Sequence, residues 1–129
     1  MTIEIRLLLW TVLFGLVQSV ATGVAVMRQR GVTFTSGARD DQRPITGWEG
    51  RVVRAFANFM ETFPFFAVVV LAGAFLQRHG AQTVIGCYLY FWGRIVYWPL
   101  YVGGVPYARS LCYAVATLGI VLVFTGITG

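Results

Sequence analysis

Four apolar stretches, at about residues 5–27, 51–77, 83–102 and 107–127, are separated by polar breaks of very different length. Each can cross a hydrocarbon core of about 30 Å as a helix, which takes roughly 20 residues. The pattern predicts an all-α integral membrane four-helix bundle, a single domain over 1–129 with antiparallel up-down topology. The first stretch exceeds a signal-peptide core of roughly 7–15 residues, and Glu4 beside Arg6 makes no positive leader, so it reads as a retained span. Gly15, Ser19 and Gly23 recur at every fourth position along it, a ladder of small residues that lets another helix approach closely in lipid. Residues 28–50, rich in Gly, Pro and charge, read as the one real loop. Pro64 is expected to bend the second helix near Met60, whose carbonyl loses its partner. Arg78-His79-Gly80 and Gly103-Gly104-Val105-Pro106 read as tight turns.

Composition agrees with this pattern. The chain of 129 residues is 57% hydrophobic and 12% charged, with mean hydropathy +0.72, too little polar surface to coat a soluble globule. A disulfide-rich secreted module, a disordered tail and a soluble α/β enzyme are all excluded. The net charge is +5, and all ten basic residues are arginine. They lie at span ends or inside apolar segments, which fits anionic lipid and topology, not nucleic acid. Arg28, Arg30, Arg39 and Arg43 occupy the first loop, Arg51 its edge, and Arg109 flanks the third turn, against Arg6 and Arg78 on the other side. The first and third connections are therefore expected to be cytoplasmic and both termini outside. The lack of a cleavable leader and the compact chain lead us to expect a bacterial inner membrane.

The charges inside the spans carry the candidate chemistry. At 100° per residue, Arg51, Arg54, Asn58 and Glu61 share an arc of about 80° on the second helix. Tyr90, Arg94, Tyr97 and Tyr101 share about 60° on the third. A tight turn makes these helices antiparallel neighbours, so the two stripes can face each other. A charge at the bilayer centre costs about 2.5–3.5 kcal/mol, so Arg54, Glu61 and Arg94 must be paired or line a wet cavity. One outcome is an Arg54–Glu61–Arg94 network that only fixes helix register. The other is a ligand site: the arginines outnumber the single intramembrane acid, arginine forks suit carboxylates, and Glu61 with Asn58 suits an ammonium or amide. A zwitterion with several carboxylates fits that set.

The segments R-V-V-R-A-F-A-N-F-M-E at 51–61 and R-I-V-Y-W-P-L-Y at 94–101 resemble those of the MAPEG family, the membrane-associated proteins in eicosanoid and glutathione metabolism. The four-span layout and the cytoplasmic first loop agree over nearly the whole chain. The resemblance implies a homotrimer that binds glutathione as co-substrate between subunits, through Arg54, Asn58 and Glu61 on one helix and Arg94, Tyr97 and Tyr101 on the next, with Arg51 beside them. It implies that Arg109 activates the thiol and that Arg30 assists at the first-loop entrance. The expected role of Arg109 is to stabilise thiolate charge; a plain phosphate-facing flank is the alternative. Thr62 stands where the eicosanoid enzymes resembling this chain carry tyrosine, so their substrates are not carried over. The implied activity is a glutathione transferase or peroxidase acting on a hydrophobic electrophile or lipid hydroperoxide that arrives through the membrane lipids. The family also includes a non-catalytic lipid-binding scaffold, which is the rival reading; an anion-transport path is a weaker one, since the outer halves of helices two and four are nearly all apolar.

No metal site is expected, because His79 has no His, Cys or carboxylate partner at ligand spacing. Cys87 and Cys112 fall at opposite depths, too far apart for a disulfide, and read as small buried residues. The four tryptophans read as packing or interfacial anchors.

Overall fold

The structure, a computed structural model, describes residues 1–38 and 43–129. Arg39, counted above among the first-loop arginines, lies outside them. The described residues form four long helices and one short one, with no strand: α1 (Ile3–Arg30), α2 (Val32–Ser36), α3 (Gly47–Phe75), α4 (Ala81–Val102) and α5 (Ala108–Thr128). By length and composition α1, α3 and α5 are apolar enough to cross a membrane. The 22-residue α4, which carries Arg94 and four tyrosines, has the length but is not among them.

Residues 28–50 are not one loop, as the sequence pattern suggested. α1 runs on to Arg30 and stops at Gly31, whose φ of 88° is open to glycine but costly for other residues. α2 then packs against α1, a helix of 5 residues too short to produce a periodic pattern. Gln29 reaches across the connection: its Nε2 donates to the Thr46 carbonyl and its Oε1 accepts from the Thr46 N–H, both at 2.8 Å. Thr46 is thereby held extended, and α3 starts at Gly47, four residues before the apolar run, with Glu49 favourably placed in its positive first turn. α3 continues through Pro64 to Phe75.

Cross-helix contacts fix the topology. Arg51 meets Val102, Asn58 meets Arg94 and Thr62 meets Tyr90, so α3 and α4 are antiparallel. α1 opposes α3 in the same sense through Gly15 and Phe59, where an added Cβ would lie 3.0 Å from the ring. Of the small-residue ladder only Gly15 is used this way; Gly23 has nothing within 4 Å of such a Cβ and Ser19 is exposed. α4 and α5 come closest. A Cβ on Gly86 would sit 2.6 Å from the Gly119 carbonyl oxygen, and one on Gly119 2.5 Å from that of Gly86, so both must be glycine for the backbones to meet. The core between the helices joins Leu7, Leu8, Phe66, Val70, Tyr90 and Val123. Phe66 stacks on Tyr90 at 4.1 Å between centroids, and the Tyr90 hydroxyl shares a buried hydrogen bond of 3.0 Å with Thr62. Thr62 is thus a packing residue of α3. Cys87 is buried and Cys112 half-buried, both as free thiols.

Candidate functional site

Two polar clusters lie at opposite ends of this bundle. At the end where α1 begins, the Glu4 carboxylate is buried and accepts a 2.8 Å hydrogen bond from the Thr83 hydroxyl, while His79 Nδ1 stands 3.7 Å away. Thr83 also accepts from the Gly80 N–H at 3.1 Å, so the same hydroxyl caps α4 and ties it to α1. His79 itself is exposed and stands beyond hydrogen-bond range of that carboxylate.

At the other end, α3, α4 and α5 surround a cavity of about 330 Å³ lined by Asn58, Tyr97, Tyr101, Arg109, Ser110 and Tyr113. Four of these were expected from the sequence. Arg109 lies over the Tyr101 ring, its guanidinium carbon 4.6 Å from the centroid. Tyr101 in turn packs on Tyr97, the ring centroids 5.5 Å apart and the planes tilted by 39°. This aromatic staircase presents Arg109 to the cavity with its donors available, since cation–π contact uses the face of the guanidinium and leaves its N–H edge.

Arg94 does not line the cavity. It is 1% exposed, lies over Tyr97 at 4.3 Å, and donates from one Nη to Asn58 Oδ1 at 2.9 Å. It orients the Asn58 amide and packs on Tyr97, two residues of the cavity lining. The expected Arg54–Glu61–Arg94 network is absent. Asn58 takes the place of Glu61 as the partner of Arg94, being one turn nearer to it along α3. Arg54 and Glu61 are exposed, and neither forms a hydrogen bond or ion pair with any described residue. Arg51 is engaged within the chain, its Nε donating to the Val102 carbonyl at 2.7 Å, which ties the start of α3 to the end of α4. Arg30 is elsewhere, over the Phe34 ring and bonded to the Arg43 and Pro44 carbonyls, lining a separate concavity with Gln29 and Thr46.

Ser110 and Tyr113 escaped the sequence reading, which projected only the second and third helices. Arg109 and Tyr113 are four apart on α5 and so share a face, the pattern that would have found Tyr113.

The larger concavity is apolar. A groove of about 840 Å³ runs between α3 and α5 from Glu61, Thr62, Tyr113 and Thr117 past Pro64, Phe65 and Val68 to Phe124. Tyr113 lines both spaces. Among the described residues no group of His, Cys, Asp and Glu could hold a metal ion.

Apolar helices long enough to span a bilayer, with a polar cavity between them, define the class: an integral membrane protein. The family model that matches, over residues 7–128, is that of the MAPEG family, and the chain belongs to it. Searches of curated proteins and of solved structures found no match.

Proposed function

We propose that the protein binds glutathione in the Arg109 cavity and uses its thiol on a hydrophobic partner taken from the membrane, as a transferase toward an electrophile or a peroxidase toward a lipid hydroperoxide. The observation that carries this reading is the donor-rich lining: Arg109, three tyrosines and Ser110 with the Asn58 amide, and no carboxylate. Such a lining suits the carboxylates of the tripeptide, and Arg109 would favour the thiolate over a thiol whose ordinary pKa is about 8.5. In conjugation the thiolate sulfur forms the new bond to carbon as the electrophile's own bond breaks and its electron pair takes a proton. In peroxide reduction two thiols become a disulfide while the hydroperoxide becomes alcohol and water.

The outward-facing Arg54 and Glu61 support a homotrimer of four-span subunits in which a neighbouring copy completes the site. Charges on a membrane helix without a partner among the described residues are expensive unless another chain or a ligand meets them. The cytoplasmic side of the membrane is proposed for the Arg51 end on the arginine balance of the connections, with both termini opposite, and a bacterial inner membrane as the setting. Size favours one other reading: the apolar groove exceeds the polar cavity, as a non-catalytic lipid-binding scaffold would have it.

Calorimetric titration of glutathione into the detergent-solubilised protein tests the proposal. Saturable heat is expected, with affinity at least about tenfold weaker, some 1.4 kcal/mol, in Arg54→Ala and Glu61→Ala. Absence of heat in the wild type would overturn the thiol reading and leave the scaffold.

A further inference from the structure

We infer that an internal water site lies between α1 and α4, held by Gln18, Thr22, Arg94 and Trp98, and that through it Gln18 acts as a positioning residue for the polar cavity. The water site rests on these side chains alone; the consequence for a ligand rests on the thiol reading above.

Among the described residues, the buried side-chain atoms that lack a hydrogen-bond partner are Gln18 Nε2, Thr22 Oγ1, Arg94 Nε and Trp98 Nε1. They converge on one place. α1 and α4 run parallel, since Glu4 meets Thr83 near their starts and Phe14 meets Trp98 edge-on at 6.2 Å further along. Gln18 follows Glu4 by as many residues as Tyr97 follows Thr83, which sets it level with the Tyr97–Trp98 step. Phe14, Gln18 and Thr22 are each one turn apart and share an arc of about 80° on α1, as Arg94 and Trp98 share about 40° on α4. Phe59 closes the third side: it lies edge-on to Phe14 at 6.0 Å, under the Arg94 guanidinium at 5.6 Å, and against Gly15.

The chemistry of the four atoms names the occupant. Arg94 Nε, Trp98 Nε1 and Gln18 Nε2 are all donors and cannot satisfy one another, and of the four only the Thr22 oxygen can accept. An unpaired N–H inside a membrane bundle has no bulk water to meet it, so a small molecule with lone pairs belongs between the helices. One water accepts from two of these N–H groups and returns a hydrogen to Thr22, and a second serves the rest. An anion is the costlier occupant, because it would give up its whole hydration shell where the Arg94 charge is already faced by the Phe59 and Tyr97 rings. Gln18 and Arg94 are each 1% exposed, so the site is closed within one chain and needs no neighbouring copy.

The residues lining the Arg109 cavity come from α3, α4 and α5, and the water site joins α1 to them. Arg94 gives its Nε to water and one Nη to Asn58, and it lies over Tyr97. Two N–H directions fix the plane of a guanidinium. The Asn58 bond alone would let it swing, and Asn58 and Tyr97 would move with it. Gln18 thus sets the cavity wall from outside the cavity.

A crystal structure of the full chain, at a resolution that shows bound water, tests the site. Density within about 2.7–3.2 Å of Trp98 Nε1 and of Arg94 Nε is expected. Three results would overturn the site: no density there, the Gln18 amide oxygen bonded directly to Trp98 and Arg94 with no water between, or an anomalous peak at that position when bromide replaces chloride. The positioning role is read in solution. Gln18→Leu puts an apolar side chain of similar size in place, so Tm is expected to hold or rise. Glutathione should nevertheless bind about fivefold more weakly, and Gln18→Glu, which keeps the length and a water-binding oxygen, should restore most of that affinity. Unchanged affinity in Gln18→Leu would overturn the role, as would a loss that Gln18→Glu does not rescue. Density is read without glutathione, so a wild type that shows the water but gives no heat removes the thiol reading and keeps the site.

Discussion

Glu4 is 7% exposed, accepts a hydrogen bond from Thr83 and has His79 nearby, whereas Glu61 is exposed and has neither hydrogen bond nor ion pair with any described residue. Both are carboxylates on long helices of one apolar bundle. A buried acid is tolerated where its lone pairs are met, and the Glu4 end meets them from inside the chain by joining the first turn of α1 to the cap of α4. The Glu61 end leaves its acid, the guanidinium of Arg54 and the hydroxyl of Tyr113 turned outward beside a cavity and a groove. Closed polar clusters hold helices together; open ones leave polar groups available to another molecule. The Glu4 cluster is of the first kind and the Glu61 cluster of the second, at opposite ends of the bundle.

The substitution with the largest expected effect breaks both ends together. Gly119→Val drives side-chain carbon into the Gly86 carbonyl oxygen and the Tyr90 N–H, which lie 2.5 and 2.7 Å from the Cβ position. Backbone cannot rotate aside, so α4 must move, and it carries Thr83 toward one cluster and Tyr97 toward the other. A loss of about 3 kcal/mol is expected, seen as a lower Tm in detergent and, where folded protein survives, weaker glutathione binding. Unchanged thiol affinity in a destabilised protein would show that the site does not depend on α4.

Glu4→Ala separates the two ends. It leaves the Thr83 hydroxyl without its acceptor on α1, opens space in the wall, and removes a favourable negative charge from the first turn of α1, for an expected loss of about 2 kcal/mol in thermal unfolding. Glutathione affinity should be unaffected. Glu61→Ala should show the reverse, a stability change within about 0.5 kcal/mol with lost thiol affinity, because Glu61 is exposed and no hydrogen bond or ion pair with a described residue is broken. If Glu61→Ala proves as destabilising as Glu4→Ala, the two acids do the same work and the open end is structural.

The contrast was only half legible in the sequence. Periodicity placed the four long helices because each carries a long apolar run, and it put Arg51, Arg54, Asn58 and Glu61 on one side of α3 because helical geometry fixes angles. It could not choose the partner of Arg94, since Asn58 and Glu61 are three residues apart on that side and the offset between α3 and α4 decides which one meets it. Glu4 looked like a charge flanking a span; its burial depends on α4 bringing Thr83 to it from 79 residues away. The start of α3 was misplaced because Gln29 on another helix, not a local apolar run, holds Thr46 in position. Pairings across helices are where sequence pattern stops being informative.

The smallest effect tests how far the closed cluster extends. His79 Nδ1 lies 3.7 Å from Glu4 Oε1, beyond hydrogen-bond range, and its side chain is 38% exposed. The histidine gives up little water to stand there, and a pair so placed is screened, so it should contribute about 0.5 kcal/mol or less. Thr83, by contrast, is buried and bonded on both sides. His79→Ala should accordingly shift Tm far less than Thr83→Val, and combining His79→Ala with Glu4→Ala should add almost nothing to Glu4→Ala alone. A coupling energy near 1 kcal/mol or more in that double-mutant cycle would make the histidine a full member of the cluster. The contrast with Glu61 would then be between an acid held by two partners of its own chain and an acid with none among the described residues.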